Sequence, residues 1–450
     1  MRNSDPEDTG GEIEITDLDA PETHRVPARN PRRRQAFARR PHFWMSLAAI
    51  AGLALLALLV LREVPHPSEP TPVTKAPLPA LSLSVVAGIA YASSPDGTIW
   101  ALRVRDGFLL WRHAGRGALE ESSAVADGVV VLALRTFEND AMVLIVEVLR
   151  TSDGFLLWSH TLPSDAPPPV QLTLVNRIVY LRAEVAQITA LRASDGSMLW
   201  HDTSPTPFVA TPTVADGVVY ASTQDGHLKA LRATDGLPLW QSSLPLPPSS
   251  APAVVAGGII YLSLQDGSME AFRTRNGAML WHSRLAPPLT ESAPLMAQGV
   301  IYVSAVDGSI SALRDSDGFL LWRARLHVPA MLSSLLLGSG AIYVVVQDGS
   351  VCALRARDGS LLWRFKDGQG GTASMVVTRG VLFLAEVAGG LAALRASDGL
   401  VLWSYTPQVP TAQWSPLVVE GLFLITLQDG SMEALHASTG ALLWHRTLKR

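Results

Sequence analysis

Residues Ala190–Trp200 read ALRASDGSMLW, and the fold turns on how often this stretch comes back. Variants end at Trp111 (ALRVRDGFLLW), Trp158 (VLRTSDGFLLW), Trp240 (ALRATDGLPLW) and Trp281 (AFRTRNGAMLW). Four more end at Trp322, Trp363, Trp403 and Trp444, the last as ALHASTGALLW. The tryptophans follow one another at intervals of 47, 42, 40, 41, 41, 41, 40 and 41 residues. A period of about 40–45 residues with β character marks the blades of a propeller.

The stretch Ser250–Ser283 gives the anatomy of one repeat. SAPAVV reads as an inner strand, closed by Gly257-Gly258, and IIYLSL as a second strand rich in β-branched and aromatic residues. Asp266-Gly267 reads as a two-residue hairpin turn that requires positive φ. SMEAFRT is the third strand, Asn276-Gly277 a second such turn, and AMLWHS the outer strand. The expectation is an all-β fold, a β-propeller of nine four-stranded repeats over residues 81–450. Eight blades with one displaced repeat is the alternative. The recurring Trp has a structural reading: its flat ring covers the end of the next blade and its indole N–H reaches a carbonyl there.

The marker resembles the tryptophan-docking motif of the PQQ-like (pyrroloquinoline quinone) β-propeller repeats, in particular the BamB-like non-catalytic branch. The resemblance covers residues 81–450. It implies a binding or scaffold module, whereas the catalytic members of the group imply an oxidoreductase. One departure is systematic. Arg103, Arg150, Arg192, Arg232, Arg273, Arg314, Arg355 and Arg395 stand where the family usually has Asp or Asn. Asp106, Asp153, Asp195, Asp235, Asp317, Asp358 and Asp398 stand where it usually has Thr. The expectation is a local Arg–Asp contact across the hairpin, or Arg stacked near a docking Trp. A ring of anion-binding arginines is the functional alternative.

The chain has 450 residues, 48% hydrophobic and 17% charged. Its mean hydropathy of +0.22 implies a lipid-embedded segment or a dense β core. The net charge of −4 argues against nucleic acid as a partner. The single cysteine, Cys352, excludes an intrachain disulfide and a four-cysteine zinc site. It reads as a buried core thiol.

Residues 1–42 run from acidic to basic with scattered prolines and read as a disordered tail. Phe43–Leu61 is an unbroken apolar run, long enough at ~1.5 Å per residue to cross the hydrocarbon core of a bilayer. Arginines cluster before it, so the positive-inside rule puts the N-terminus in the cytoplasm and the repeats outside. Residues 43–62 thus read as a transmembrane signal anchor, with a cleaved signal peptide as the rival. The rival lacks a small-x-small site after the run. Residues 63–80 carry Pro65, Pro67, Pro70, Pro72, Pro77 and Pro79 and read as a stiff linker. The expected location is the cell membrane, single-pass.

The chemistry expected of a quinoprotein dehydrogenase is hard to find. No H-x-x-x-H or H-E-x-x-H pair occurs. Nearly every Asp sits in a turn, including Asp315-Ser316-Asp317-Gly318, which has only a faint calcium-loop look. No catalytic or metal-binding residue and no cofactor is expected; PQQ with calcium belongs to the oxidoreductase alternative alone. The expected partner is an extracytoplasmic protein or another cell-envelope component. Interest falls where the repeats are irregular. Arg135–Arg150 lengthens the second repeat and should project a hairpin with two exposed edges. Its tip, Phe137, Glu138, Asn139 and Asp140, is the first candidate partner site, beside Pro167, Pro168 and Pro169. Trp414, with Glu121 at the channel mouth, is the second.

Overall fold

The computed structural model describes residues 11–14 and most of 81–450. Residues 1–10 and 15–80 lie outside it, as do 121–122, 139–140, 164–169, 286–288, 291–292, 327–334, 367–370, 387, 412–416 and 449–450. The expected anchor and linker therefore fall outside the described residues, as does the expected disordered tail except for Gly11–Glu14, which form a strand instead. Among the described residues no helix is long and apolar enough to cross a membrane.

Residues 81–450 form a nine-bladed β-propeller, not eight blades with a displaced repeat. Each blade is a four-stranded antiparallel meander contiguous in sequence. Blade 5 is typical, with Val254–Ala256, Ile259–Ser263, Ser268–Arg273 and Met279–Arg284. Blade 1 begins at Ser82–Val86 and blade 9 ends at Leu442–Thr447. Two further strands stand outside the four-strand pattern. Ala118–Leu119 pairs with the second strand of blade 2, and Gly11–Glu14 runs parallel to the outer strand of blade 6.

The apolar side chains of the middle strands go to both faces, because each sheet is sandwiched between two neighbours. In blade 5, Ile260, Tyr261 and Leu262 are consecutive and all buried. The described core accordingly divides into nine apolar clusters, one at each interface between adjacent blades. Cys352 is buried in one of them, between blades 6 and 7.

The turns differ from the sequence reading. The two-residue turn with positive φ at both positions is the first hairpin of the blade, as at Gly257-Gly258 (φ 56° and 78°). The Asp-Gly and Asn-Gly turns are longer. Leu264 and Ser268 bracket Gln265–Gly267, where only the glycine is left-handed. The dipeptide alone does not distinguish a two-residue turn from a longer turn ending in a left-handed glycine.

The marker's last glycine is fixed by packing as well as by φ. Gly359 has φ +73°, and a Cβ built on it would lie 2.5 Å from Cε3 of Trp322 in the preceding blade. Gly340, also left-handed at φ +77°, has open space around it. Gly340→Ala is expected to cost only backbone strain, about 1–2 kcal/mol. Gly359→Ala should cost clearly more, because the indole must also move; denaturant melts of the two variants give the comparison. Equal losses would show that the ring does not need the glycine.

Candidate interaction surface

All nine indoles make the same bond. Each donates from Nε1 to the backbone carbonyl that follows the third strand of the next blade, at 2.7–3.1 Å. Trp444 closes the circle by donating to Val104 of blade 1 at 3.0 Å. Tyrosines share the task in three blades. Tyr180, Tyr302 and Tyr343 donate to the same carbonyls, of Ala233, Ala356 and Ala396, that Trp200, Trp322 and Trp363 reach. The marker says nothing of these tyrosines; their regular place in the second strand was the available signal.

Seven of the marker arginines pair with the aspartate three residues on, at 2.8–3.4 Å. Arg103, Arg150 and Arg314 stack on Phe108, Phe155 and Phe319 just after the turn, not on a docking Trp. The carboxylates also accept from the backbone of their own turns. The Ser197 hydroxyl and amide, with Arg192, bring Asp195 down to about 2. These pairs are solvent-exposed and screened, so they rigidify turns and add little stability.

The second repeat does project a long hairpin. Its strands Val129–Glu138 and Ala141–Arg150 have ten residues each, against five to seven in the matching strands of other blades. Its edges are not left bare, contrary to the sequence reading. Ala118–Leu119 pairs with Arg135 and Leu134 on one side, while Leu156–Pro163 follows the other as far as Val143. The neighbouring strands have lengthened with the hairpin, so only its last residues protrude. Arg135 locks the base through Glu120, with Nε 2.6 Å from Oε1 and Nη2 2.6 Å from Oε2. Phe137 is 70% exposed beyond this clasp. Glu138 ends its strand and pairs in register with Ala141. Asn139, Asp140, Glu121, Pro167, Pro168, Pro169 and Trp414 lie outside the described residues.

One position in the third strand carries a buried glutamate in three blades. In blade 2, Glu147 is fully buried and meets His113 Nε2 and Arg116 Nε, both at 2.8 Å. Arg116 also reaches Ser159. Burial favours the neutral acid, but the hydrogen bonds from His113 and Arg116 outweigh it and hold Glu147 below the usual glutamate range. In blade 5, among the described residues, Glu270 has only His282, 3.2 Å away, and its Oε2 has no partner. Here burial wins and the pKa is raised. In blade 9, Glu433 accepts from Tyr405 at 3.0 Å and lies 3.1 Å from His445. Burial first, then Glu433, pushes Tyr405 up to about 12, so it stays a donor. These three groups border a cleft of about 310 Å³ between blades 8 and 9, with Gln408 and Asp429 on its rim. Sequence reading missed all three glutamates. The signal was a carboxylate where other repeats have Thr189, Ser311, Cys352 or Ala392.

Among the described residues no three acidic, His or Cys side chains converge on a point that would hold a metal ion. Asp317, in the faint calcium loop, is tied to Arg314 and to the Phe319 amide.

Comparison with curated proteins finds no match. Among solved structures, a computationally designed protein is similar over 80% of this chain and 96% of its own, with 15% identity and a TM-score of 0.53. BamB from Moraxella catarrhalis aligns over 62% of this chain and 88% of its own, at 16% identity and a TM-score of 0.49. A europium-containing methanol dehydrogenase aligns over 63% and 79%, at 14% and 0.45. At these identities the likenesses concern the fold alone. The family described as outer membrane protein assembly factor BamB matches residues 144–288, 265–411 and 347–450. Those matches span most of the ring, and the chain belongs to that family.

Proposed function

We propose that the protein is a membrane-anchored, extracytoplasmic scaffold whose propeller holds a cell-envelope protein. Membership of a family described as an outer membrane assembly factor carries this reading. The regular blades support it, since their repeated side chains are engaged in docking and turn formation. The aromatic at the tip of the blade 2 hairpin is the contact we assign to the partner. A large exposed ring on a clasped, rigid stem is the kind of anchor that interfaces use. The test is a photoreactive residue at Phe137 in the full chain, irradiated in intact cells. A discrete adduct is expected there and not at Phe319, an exposed ring inside a regular turn. No adduct, or equal labelling at both sites, would send the search elsewhere.

Topology has its own test. Protease added outside intact cells should release the propeller by cutting the proline-rich stretch between residues 64 and 79. A protected propeller would rule out the anchored arrangement. The oxidoreductase alternative makes a distinct claim. Titration of the purified chain with PQQ and calcium would then give a saturable change in quinone absorbance; the scaffold reading expects none.

A further inference from the structure

We infer that the outer edge of blade 6 is a docking site for an extended peptide with glutamates at alternate positions. The site is separate from the blade 2 hairpin. The outer strand Leu320–Arg325 is the last of the four strands of its blade, so its outward amide and carbonyl groups can take an added strand. In this structure that edge is occupied by the chain's own Gly11–Glu14. The pairing is parallel, with Gly11 at the level of Trp322, Glu12 of Arg323, Ile13 of Ala324 and Glu14 of Arg325.

The register matches like with like across two alternating patterns. Successive residues in a strand face opposite sides of the sheet. Trp322 and Ala324 are buried on the side facing the next blade. Arg323 and Arg325 alternate with them and lie on the other side. Glutamates fall at both arginine positions, and glycine and isoleucine at the two buried positions. Opposite charges at paired positions favour the register and like charges oppose it.

Blade 6 alone has this edge. The positions one and three after the docking Trp are Arg323 and Arg325 here, but Ser159 and Thr161, His201 and Thr203, or Gln241 and Ser243 in blades 2 to 4. Blade 7 comes nearest with Arg364 and Lys366, and both of these bind Asp348. Arg323 instead donates to the Ser311 hydroxyl at 3.1 Å, a neutral partner. Arg325 stands 3.9 Å from Asp307 and is 46% exposed.

The natural occupant follows from the topology. If residues 43–61 span a membrane, residues 11–14 and the propeller lie on opposite faces. The chain's own strand then cannot reach blade 6, and the edge is open to an acidic strand of a partner. Gly11–Glu14 shows the chemistry such a strand must have.

The test uses the full chain in detergent and a fluorescent peptide of residues 8–18. Glu12→Pro and Glu14→Pro in the protein remove the chain's own competitor whatever the charge of the edge. Saturable anisotropy binding is expected, and it should weaken at least about tenfold when Arg323→Glu and Arg325→Glu are added. A peptide with lysine at positions 12 and 14 should recover binding to that reversed edge, which separates lost recognition from lost folding. No saturable binding, or binding indifferent to both reversals, overturns the proposal.

Discussion

Trp444→Ala is expected to open the ring at one place and to cost about 3–5 kcal/mol, the usual loss for removing a buried tryptophan. Trp444 is 8% exposed and belongs to the cluster formed by Leu81, Trp100 and Leu102 of blade 1 with Leu424 and Met432 of blade 9. Its removal leaves the Val104 carbonyl without the indole donor. Among the described residues the other polar ties across this seam include Arg446 Nε to Gly107 O at 3.0 Å and Thr426 to Leu81 O at 3.4 Å. The equivalent change Trp281→Ala should cost a similar amount but behave differently, because the chain itself still joins blades 5 and 6. Hydrogen exchange should therefore show early loss of protection in blades 1 and 9 for Trp444→Ala alone. Protection lost evenly around the ring would show that the seam is no weaker than any other interface.

The second large effect comes from one position with two signs. At neutral pH Glu147→Gln should destabilise the fold by about 2–4 kcal/mol, below the fullest cost of breaking a buried pair because Arg116 keeps contact with water. Glu270→Gln should be neutral or stabilising, since it removes a buried charge whose Oε2 has no partner. The pH dependence follows from linkage. Glu147 has a lowered folded pKa, so its stabilisation is present above the ordinary glutamate value and fades as pH falls through the lowered one. Glu270 has a raised folded pKa, so its contribution is present below the ordinary value and is lost as pH rises through the raised one. The Glu147→Gln deficit should therefore shrink in acid, and any gain from Glu270→Gln should disappear there. Urea melts at neutral and acidic pH measure both. A neutral Glu147→Gln would mean that His113 and Arg116 find other partners.

The blades were legible because one short stretch sets several requirements at once: a left-handed glycine, an apolar strand and a ring of fixed size. Nine copies of it gave the number of blades. The turns were less legible. The true two-residue turns include Ala87-Gly88, Gln298-Gly299 and Arg379-Gly380, whose first residues have φ near +50° and are not typical turn formers. Their geometry is imposed by the strands they join. The length of the blade 2 hairpin could be counted from the repeat interval. That its edges are covered could not, because this depends on the register with Leu156–Pro163 and Ala118–Leu119. Glu147 was invisible for a related reason: its partners His113 and Arg116 stand 34 and 31 residues away, in another blade.

The four strands of every blade are contiguous in sequence, and the bond from Trp444 to Val104 is the same bond that joins every other neighbouring pair. Cutting the chain between any two blades and joining Arg450 to the first blade through a short linker would interrupt none of the nine four-strand ladders. Circular permutants opened at any of the crossovers should then reach one and the same architecture. Duplicating or deleting a whole repeat changes the circumference without splitting a sheet, which makes ring size a quantity that can change in single steps.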